Sequence, residues 1–391
     1  MEKTPDPLIP LTRPWMDERE AEAASRVILS GWVAQGPEVE AFEHEMAAVV
    51  GAPYACAVSS CTTALHLALR AVGVGQGDEV LTASYSFIAT ANAVRYCGAV
   101  PVFVDIGPDG PNLDPALVEA SIGPRVKAIL CVHQMGLPCD IGRLRIVADR
   151  QGLPLVEDAA CAIGAQVRTE GAHFDAIGRP HGDVACFSFD PRKILTTGQG
   201  GMVTSRDVDI DRRIRAERQH GVDISAASRH GARRVIDEEH RSFGYNARMT
   251  DIQAALGRVQ LSRLPDVLAR RRALAARYRQ LLSDVPVTLP RVPDWARPNW
   301  QSFWVALPDG CDRQSVRQTL LDAGIATRRG VLCAHTEIAY RTEPWRAGAD
   351  GLVRSEDAQR RTILLPLYPQ MSEHEQDRVV AALRRALAMN R

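Results

Sequence analysis

The sequence predicts an α/β protein in which a large domain, residues 1–256, carries a mostly parallel sheet flanked by helices. A smaller C-terminal α+β domain, residues 257–391, follows it. Three observations carry this reading. Between about residues 54 and 205, short β-branched apolar runs alternate with helix-like segments. Several of those runs are apolar on successive residues, as strands covered on both faces must be. Beyond residue 257 the alternation stops, and basic helical stretches, proline-rich connections and isolated strands replace it.

In chain order the strand candidates are YACAVSS (54–60), EVLTA (79–83), PVFVDI (101–106), KAILCVH (127–133), LPLVED (153–158), DVACFSF (183–189) and GGMVTS (200–205). Between the first two, TTALHLALRAVG places Leu65, Leu69 and Val72 on one helix face, and Gly73 stops the helix. Thr250 with Gln253 forms a capping box ahead of IQAALGRVQL, and the helical stretch LARRRALAARYRQLL follows Pro265. In the C-terminal part, SFWVALP reads as a strand and CDRQSVRQTLLDAG as a helix. Ser372 with Glu375 caps a terminal helix running to about residue 389.

Composition excludes several function classes. The chain holds 47 basic and 47 acidic residues, so it lacks the net basic field of a nucleic-acid binder. No run approaches the roughly 18 apolar residues a membrane span needs, and MEKTPDPLIPLTRPW contains no apolar signal core. The expectation is a soluble cytoplasmic protein. Nine cysteines, without the spacing of a disulfide framework, are expected as free thiols. The sequence shows no CxxC, no HxxxH and no clustered Cys/His set, so no metal site is expected. His220, His230 and His240 recur every ten residues, which aligns no helix face, and they read as loop residues. The dipeptide Gly-Lys is absent, there is no GxSxG elbow, and GVGQGD (73–78) follows a helix rather than a strand. The usual ATPase, hydrolase and dehydrogenase readings lose their support.

The basic residues are 44 arginines and only three lysines, Lys3, Lys127 and Lys193. A lysine kept where arginine is the default marks positions where a guanidinium will not serve, an amine nucleophile above all. Lys3 lies in the N-terminal tail and Lys127 at the amino end of a strand, away from the face where parallel sheets bind ligands. Lys193 sits in CFSFDPRKILTTGQGG, between a strand carrying Ser188 and a glycine-rich turn. Ser60, Cys61 and Thr62 open a helix after the first strand, an anion site by virtue of its free N–H groups. Asp158 closes a strand, and Phe87 follows another. Pyridoxal 5′-phosphate needs an amine for its aldehyde, an anion site for its phosphate, an acid for its pyridine nitrogen and an aromatic face. Lys193, the 60–62 turn, Asp158 and Phe87 supply the four at successive strand ends.

With those residues in place, the sequence resembles the DegT/DnrJ/StrS family of sugar aminotransferases. The matching segments are SGWVAQGPEVEAFE (30–43), SSCTTALHLALRAVGVGQGDEVLTAS (59–84), SFIATANAV (86–94), VHQMGLPCD (132–140), VEDAACAIGA (156–165), FSFDPRKILTTGQGGM (187–202), QHG (219–221), GYNARMTDIQAALG (244–257) and LPLYPQMSEHE (365–375). The resemblance implies the aspartate-aminotransferase-like type I fold and pyridoxal 5′-phosphate as cofactor. It gives Lys193 the bond to the cofactor aldehyde and the shuttling of protons, and Asp158 the pyridine nitrogen. Phe87 matches a ring that stacks on the cofactor; Cys61, Thr62 and Ser188 match phosphate contacts. Asn246 matches an asparagine that reaches the partner subunit's cofactor, which implies a homodimer with shared active sites.

Some positions depart from the family pattern. Cys61 replaces the usual glycine, Cys161 stands where Gln or His is common beside the cofactor, Asp190 replaces a frequent His and Gln199 a frequent Glu. The segment GIATRRGVLCAHTEIAY (324–340) is also atypical, with Arg328, Arg329 and His335 as candidate substrate contacts. The activity implied is transfer of an amino group from an amino acid, L-glutamate, to a nucleotide-linked keto-deoxy sugar. The atypical segment keeps a keto-cyclitol or another natural-product ketone as an alternative acceptor. A sugar dehydratase with the same cofactor is opposed by Lys193, since such relatives carry histidine there, and a non-catalytic regulator is opposed by Lys193 with Asp158. RHGARRVIDEEHR (229–241) reads as a solvated loop, with an alternative role for its arginines at the active-site mouth.

Overall fold

The computed structural model describes residues 7–222 and 237–390. Helices α1 (Glu18–Ser30) and α2 (Pro37–Val50) precede the first strand. Next come β1 (Tyr54–Val58), α3 (Cys61–Ala71), β2 (Glu79–Ala83), α4 (Ala89–Tyr96), β3 (Val100–Val104), α5 (Pro115–Ala120), β4 (Val126–Val132), α6 (Ile141–Gln151) and β5 (Leu155–Asp158). Short strands β6 (Gln166–Val167) and β7 (Asp175–Ala176) lead to β8 (Val184–Ser188), β9 (Gly201–Ser205) and α7 (Val208–Glu217). Helices α8 (Asp251–Ser262) and α9 (Leu264–Leu281) follow, then β10 (Ala296–Arg297), β11 (Phe303–Ala306), α10 (Arg313–Asp322) and β12 (Arg328–Arg329). The chain ends with β13 (Arg346–Ala347), α11 (Val353–Arg361), β14 (Thr362–Leu365) and α12 (Glu373–Met389).

The large sheet has eight strands in the order β1-β9-β8-β5-β4-β2-β3-β13. Only β9 runs against its neighbours; all other pairings in the sheet are parallel. The seven expected runs therefore become the seven longest strands of this sheet, and their successive apolar residues face helices on both sides. Leu81, Ile129 and Ala185 enter one buried cluster, whereas Val80, Leu130 and Cys186, one residue away, enter another. A second, antiparallel sheet, β11-β14-β12, is covered by α9, α10 and α12 in a cluster that includes Phe303, Leu320, Ile363 and Leu383. The chain crosses between these bodies twice outside the expected boundary: Ile9 packs into the second cluster, and β13 adds an edge strand to the first sheet.

The helix signals read from sequence are present. Thr250 with Gln253 and Ser372 with Glu375 both form complete capping boxes. Helix α2 begins at Gly36, which has no side chain to cap it. Asp251, at the start of α8, does so from across the chain: its Oδ1 accepts from the N–H groups of Gly36 (2.7 Å) and Val39 (3.0 Å), and Oδ2 from that of Glu38 (3.2 Å). This carboxylate ties the helix before β1 to the helix that leads toward the second sheet. Asp251→Ala leaves three N–H donors without their acceptor, those of Gly36 and Val39 in buried bonds, so unfolding in denaturant should show a loss of about 1–3 kcal/mol.

Candidate active site

The carboxyl ends of β1, β2, β4, β5 and β8 all open into one cavity of about 380 Å³. That is where an open parallel sheet gathers ligands, since each strand ends in a turn whose side chains converge there. Cys61, Thr62, Phe87, Asp158, Cys161, Ser188, Lys193, Arg328 and Arg329 all line it. The expected residues thus meet from five strand ends and from β12 of the second sheet.

Helix α3 starts at the cavity wall. Ser60 caps it, its Oγ accepting from the N–H of Thr63 at 3.1 Å, and the N–H groups of Cys61 and Thr62 have no acceptor among the described residues. They form an anion cradle with the helix dipole behind it. The cradle needs a close neighbour on one side: a Cβ on Gly201 would lie 2.5 Å from the carbonyl carbon of Ser60, so only glycine lets β9 pass here. Cys61 stands where a glycine was expected from the family pattern. The helix accommodates it by turning its sulfur inward toward the carbonyl of Cys186, at 3.7 Å, so the thiol is buried and its proton is held tightly.

Asp158 is buried at the end of β5. Oδ2 accepts from the Thr90 hydroxyl at 2.8 Å and Oδ1 from the N–H of Ala160 at 3.1 Å. Burial raises the carboxyl above its ordinary range, against the pull of Thr90, Ala160 and Lys193. A positive ring nitrogen placed against it would relieve that cost. Thr90 in turn is bonded to Ser86 at 2.7 Å. Neither hydroxyl was singled out in the sequence, where two small polar residues at the start of a helix look like ordinary caps.

Lys193 follows β8 and is half-buried, its Nζ 3.2 Å from Sγ of Cys161. Burial presses its proton off, but the sulfur of Cys161, then Cys61 and Asp158, outweigh that and hold the pKa above the ordinary lysine value. Phe87 exposes half of its ring, unusual for a phenylalanine, at the same cavity. Gln301 and Ser302 close the cavity from the second body of the protein.

Arginines gather at its mouth. Arg192 pairs with Asp190 at 2.9 Å and Arg329 with Glu337 at 3.1 Å, whereas Arg328 makes no ion pair among the described residues. Half-burial and the charges of Arg192, Arg329 and Arg317 all disfavour its charged form, so the guanidinium is poised to receive an anion.

Two expected residues stand elsewhere. His335 does not line the cavity: Nδ1 is 2.6 Å from the Ser84 hydroxyl and Nε2 is 3.1 Å from Glu356. With the Ala334 N–H donating to the Ser84 carbonyl, it pins its loop to the end of β2. Asn246 is exposed outside this chain's cavity, its Oδ1 accepting from Arg248 at 3.1 Å. Of the three spaced histidines, His240 bonds through Nδ1 to the carbonyl of His220, while His230 and residues 229–236 of the charged segment lie outside the described residues.

One grouping was missed by spacing. Cys131, His133 and Cys139 bring their side chains within 4.8 Å of one another, because the turn after β4 folds Cys139 back over its own strand. Both ring nitrogens of His133 are already used: Nδ1 accepts from the N–H of Cys139 at 3.1 Å, and Nε2 faces Glu157 at 3.0 Å. The grouping is a hydrogen-bonded brace under Asp158.

A lysine, a buried acid, an anion cradle and an exposed ring around one cavity fit pyridoxal 5′-phosphate group by group, and with this fold they define a pyridoxal-phosphate-dependent aminotransferase of the aspartate-aminotransferase-like type I fold. The family model of the DegT/DnrJ/EryC1/StrS aminotransferase family matches residues 14–384, and the chain belongs to that family. It is 37% identical over 381 residues to the spore coat polysaccharide biosynthesis protein SpsC of Bacillus subtilis strain 168, covering 96% of each chain. Among solved structures it resembles the aminotransferase TlmJ from Streptoalloteichus hindustanus, at 34% identity and a TM-score of 0.87 over 98% of this chain and 99% of that one. It also resembles S. venezuelae DesV, solved with a ketimine intermediate, at 36% identity and a TM-score of 0.85 over 97% and 98%.

Two outcomes follow at this site. Protein mixed with pyridoxal 5′-phosphate and reduced with borohydride should retain the cofactor covalently, and Lys193→Ala should retain none, as read by intact mass. Thr90→Val removes one donor from a buried carboxylate, so cofactor affinity followed by absorbance titration should fall about tenfold, the equivalent of about 1.4 kcal/mol.

Proposed function

We propose that this enzyme moves an amino group from L-glutamate to a nucleotide-linked keto-deoxy sugar in amino-sugar or natural-product biosynthesis. The observation that carries the reading is the free guanidinium of Arg328 beside Arg192 and Arg329 at the mouth of a cavity that already has a separate anion cradle. A cofactor phosphate accounts for the cradle, so the arginines are left for the anions of the substrates: the carboxylates of the donor and the diphosphate of the acceptor. SpsC acts in polysaccharide biosynthesis by its name, which supports a sugar as the acceptor.

The bound cofactor supplies an electron sink for the pair left when the donor's α-carbon loses its proton. Lys193, whose amine is the basic side chain inside the cavity, would take that proton from the donor's α-carbon and return it two atoms along, beyond the nitrogen. Asp158 stays anionic through both half-reactions and keeps a proton on the ring nitrogen. Thr90 and the Ala160 N–H hold that carboxylate still, and Gln301 and Ser302 line the same cavity from the second body of the protein. Asn246, exposed near the start of α8, is assigned to a second subunit's cofactor phosphate, which makes the working unit a homodimer. Nine free thiols suit a reducing cytoplasm, and among the described residues no helix is long and apolar enough to cross a membrane.

Two assays test this. A panel of nucleotide-linked 3- and 4-keto-6-deoxy sugars and keto-inositols, with glutamate as donor, should give turnover with a nucleotide sugar; turnover with keto-inositols alone would sink the reading. Arg328→Ala should raise KM about 10- to 100-fold, the loss of a charge-assisted contact of about 1.5–3 kcal/mol, while covalent retention of the cofactor is unchanged.

A further inference from the structure

Cys161 is the reactive side chain that the transfer chemistry leaves unused. It lies three residues beyond Asp158 and is half-buried, and it is one of two thiols lining the cavity. The other, Cys61, is buried and turned toward the carbonyl of Cys186. The sulfur of Cys161 instead touches the Lys193 amine, at 3.2 Å. The backbone on both sides of that contact is fixed by one loop. Asn299, fully buried, donates through Nδ2 to the carbonyls of Cys161 and Ile163, each at 2.8 Å, and Gln301 donates to the carbonyl of Arg192, also at 2.8 Å. A thiol and an amine are therefore held in contact at the wall of a cavity of about 380 Å³, large enough for a small oxidant to enter.

We propose that Cys161 and Lys193 form an oxidative modification site, in which peroxide converts the pair into a covalent sulfur–nitrogen link that takes the amine out of use. In the first step the sulfur of Cys161 attacks one peroxide oxygen. The O–O bond breaks, water leaves, and the thiol is oxidised by two electrons to a sulfenic acid. In the second step the lone pair of Nζ attacks that sulfur. An S–N bond forms, the S–O bond breaks, and the hydroxyl departs with an amine proton as a second water. The protein loses two hydrogens in all, and a thiol reductant reverses the link by attack on sulfur. Oxidation also loosens the hold on the amine proton, because Cys161 is foremost among the groups that keep it on Lys193 and the 3.2 Å sulfur contact changes when that sulfur is oxidised. An amine already bonded to the cofactor aldehyde cannot make the link, so the loaded resting enzyme is protected and the cofactor-free protein is exposed.

Mass spectrometry tests this without reference to which ketone the enzyme aminates. Purified protein, cofactor-free or loaded with pyridoxal 5′-phosphate, is treated with stoichiometric hydrogen peroxide and digested without reductant. The cofactor-free sample should yield a species joining the Cys161 and Lys193 peptides, lighter by two hydrogens than their sum and released by dithiothreitol. Its visible absorbance on adding the cofactor should be lost in proportion to the linked fraction. The loaded sample should stay unlinked. Cys161→Ser and, as a second variant, Cys161→Gln should give no link, and whatever cofactor uptake each shows should be the same with and without peroxide. Cys161 recovered untouched, as a sulfinic acid, or bonded to Cys61, with Lys193 unlinked in each case, would overturn the proposal.

Discussion

The structure depends on two carboxylates placed side by side at the buried end of one strand. Successive residues of β5 point to opposite faces of the sheet, so Glu157 and Asp158 are sent in opposite directions. Glu157 meets His133 at 3.0 Å and the N–H of Gly182 at 2.7 Å on the packed side. Burial pushes Glu157 up, but those partners with His181 outweigh it and hold the carboxylate ionised below its usual range. Asp158 meets Thr90 and Ala160 on the cavity side and is raised instead. One acid holds the strand end in place; the other is left short of a positive partner. A buried charge without a partner is costly, and a cationic group placed against Asp158 would relieve that cost.

The second constraint is the loop from Asn299 to Ser302, which joins the two bodies of the protein at the cavity. Asn299 bridges the turn that carries Cys161, Gln301 reaches the chain at Arg192, and the N–H of Ser302 donates to the carbonyl of Met135. Arg271, buried and without a carboxylate partner among the described residues, donates to the carbonyls of Trp300, Gln301 and Leu367, which fixes the loop from behind. Gly136 completes the arrangement, because a Cβ there would strike the side-chain oxygen of Asn299. The geometry of Lys193 is therefore set by residues more than a hundred positions further along the chain.

That distance explains what the sequence could disclose. The strands and their order along the chain were legible because burial on both faces leaves a continuous apolar run, and the two helices with capping boxes because a cap is a local pattern. Lys193, Asp158 and the α3 start were legible because they sit at strand ends. Partnership was not: nothing near Thr90 says that its hydroxyl serves a carboxylate 68 residues away. Nothing near Asp251 says that it caps a helix more than two hundred residues earlier. His335 misled for the same reason, since a polar residue in an atypical segment looks available until the fold shows Ser84 and Glu356 occupying both its nitrogens. The Cys131, His133 and Cys139 grouping was invisible because its closeness comes from a chain reversal, not from spacing.

The scarcity of lysine acquires a physical meaning in this setting. The cavity holds four basic side chains, Arg192, Arg328, Arg329 and Lys193, and the three arginines stand at the mouth, where planar, permanently charged groups suit carboxylates and phosphates. Inside, a guanidinium would fail on two counts: it does not give up its proton, and it is too weak a nucleophile to bond a carbonyl carbon. The neighbour of Lys193, Cys161, smaller than the glutamine or histidine common there in the family, touches the amine through a single sulfur contact and favours its protonated form. The chain as a whole is electrically neutral, yet one cavity gathers four basic side chains, with three permanently charged arginines at its mouth and an amine that can give up its proton inside.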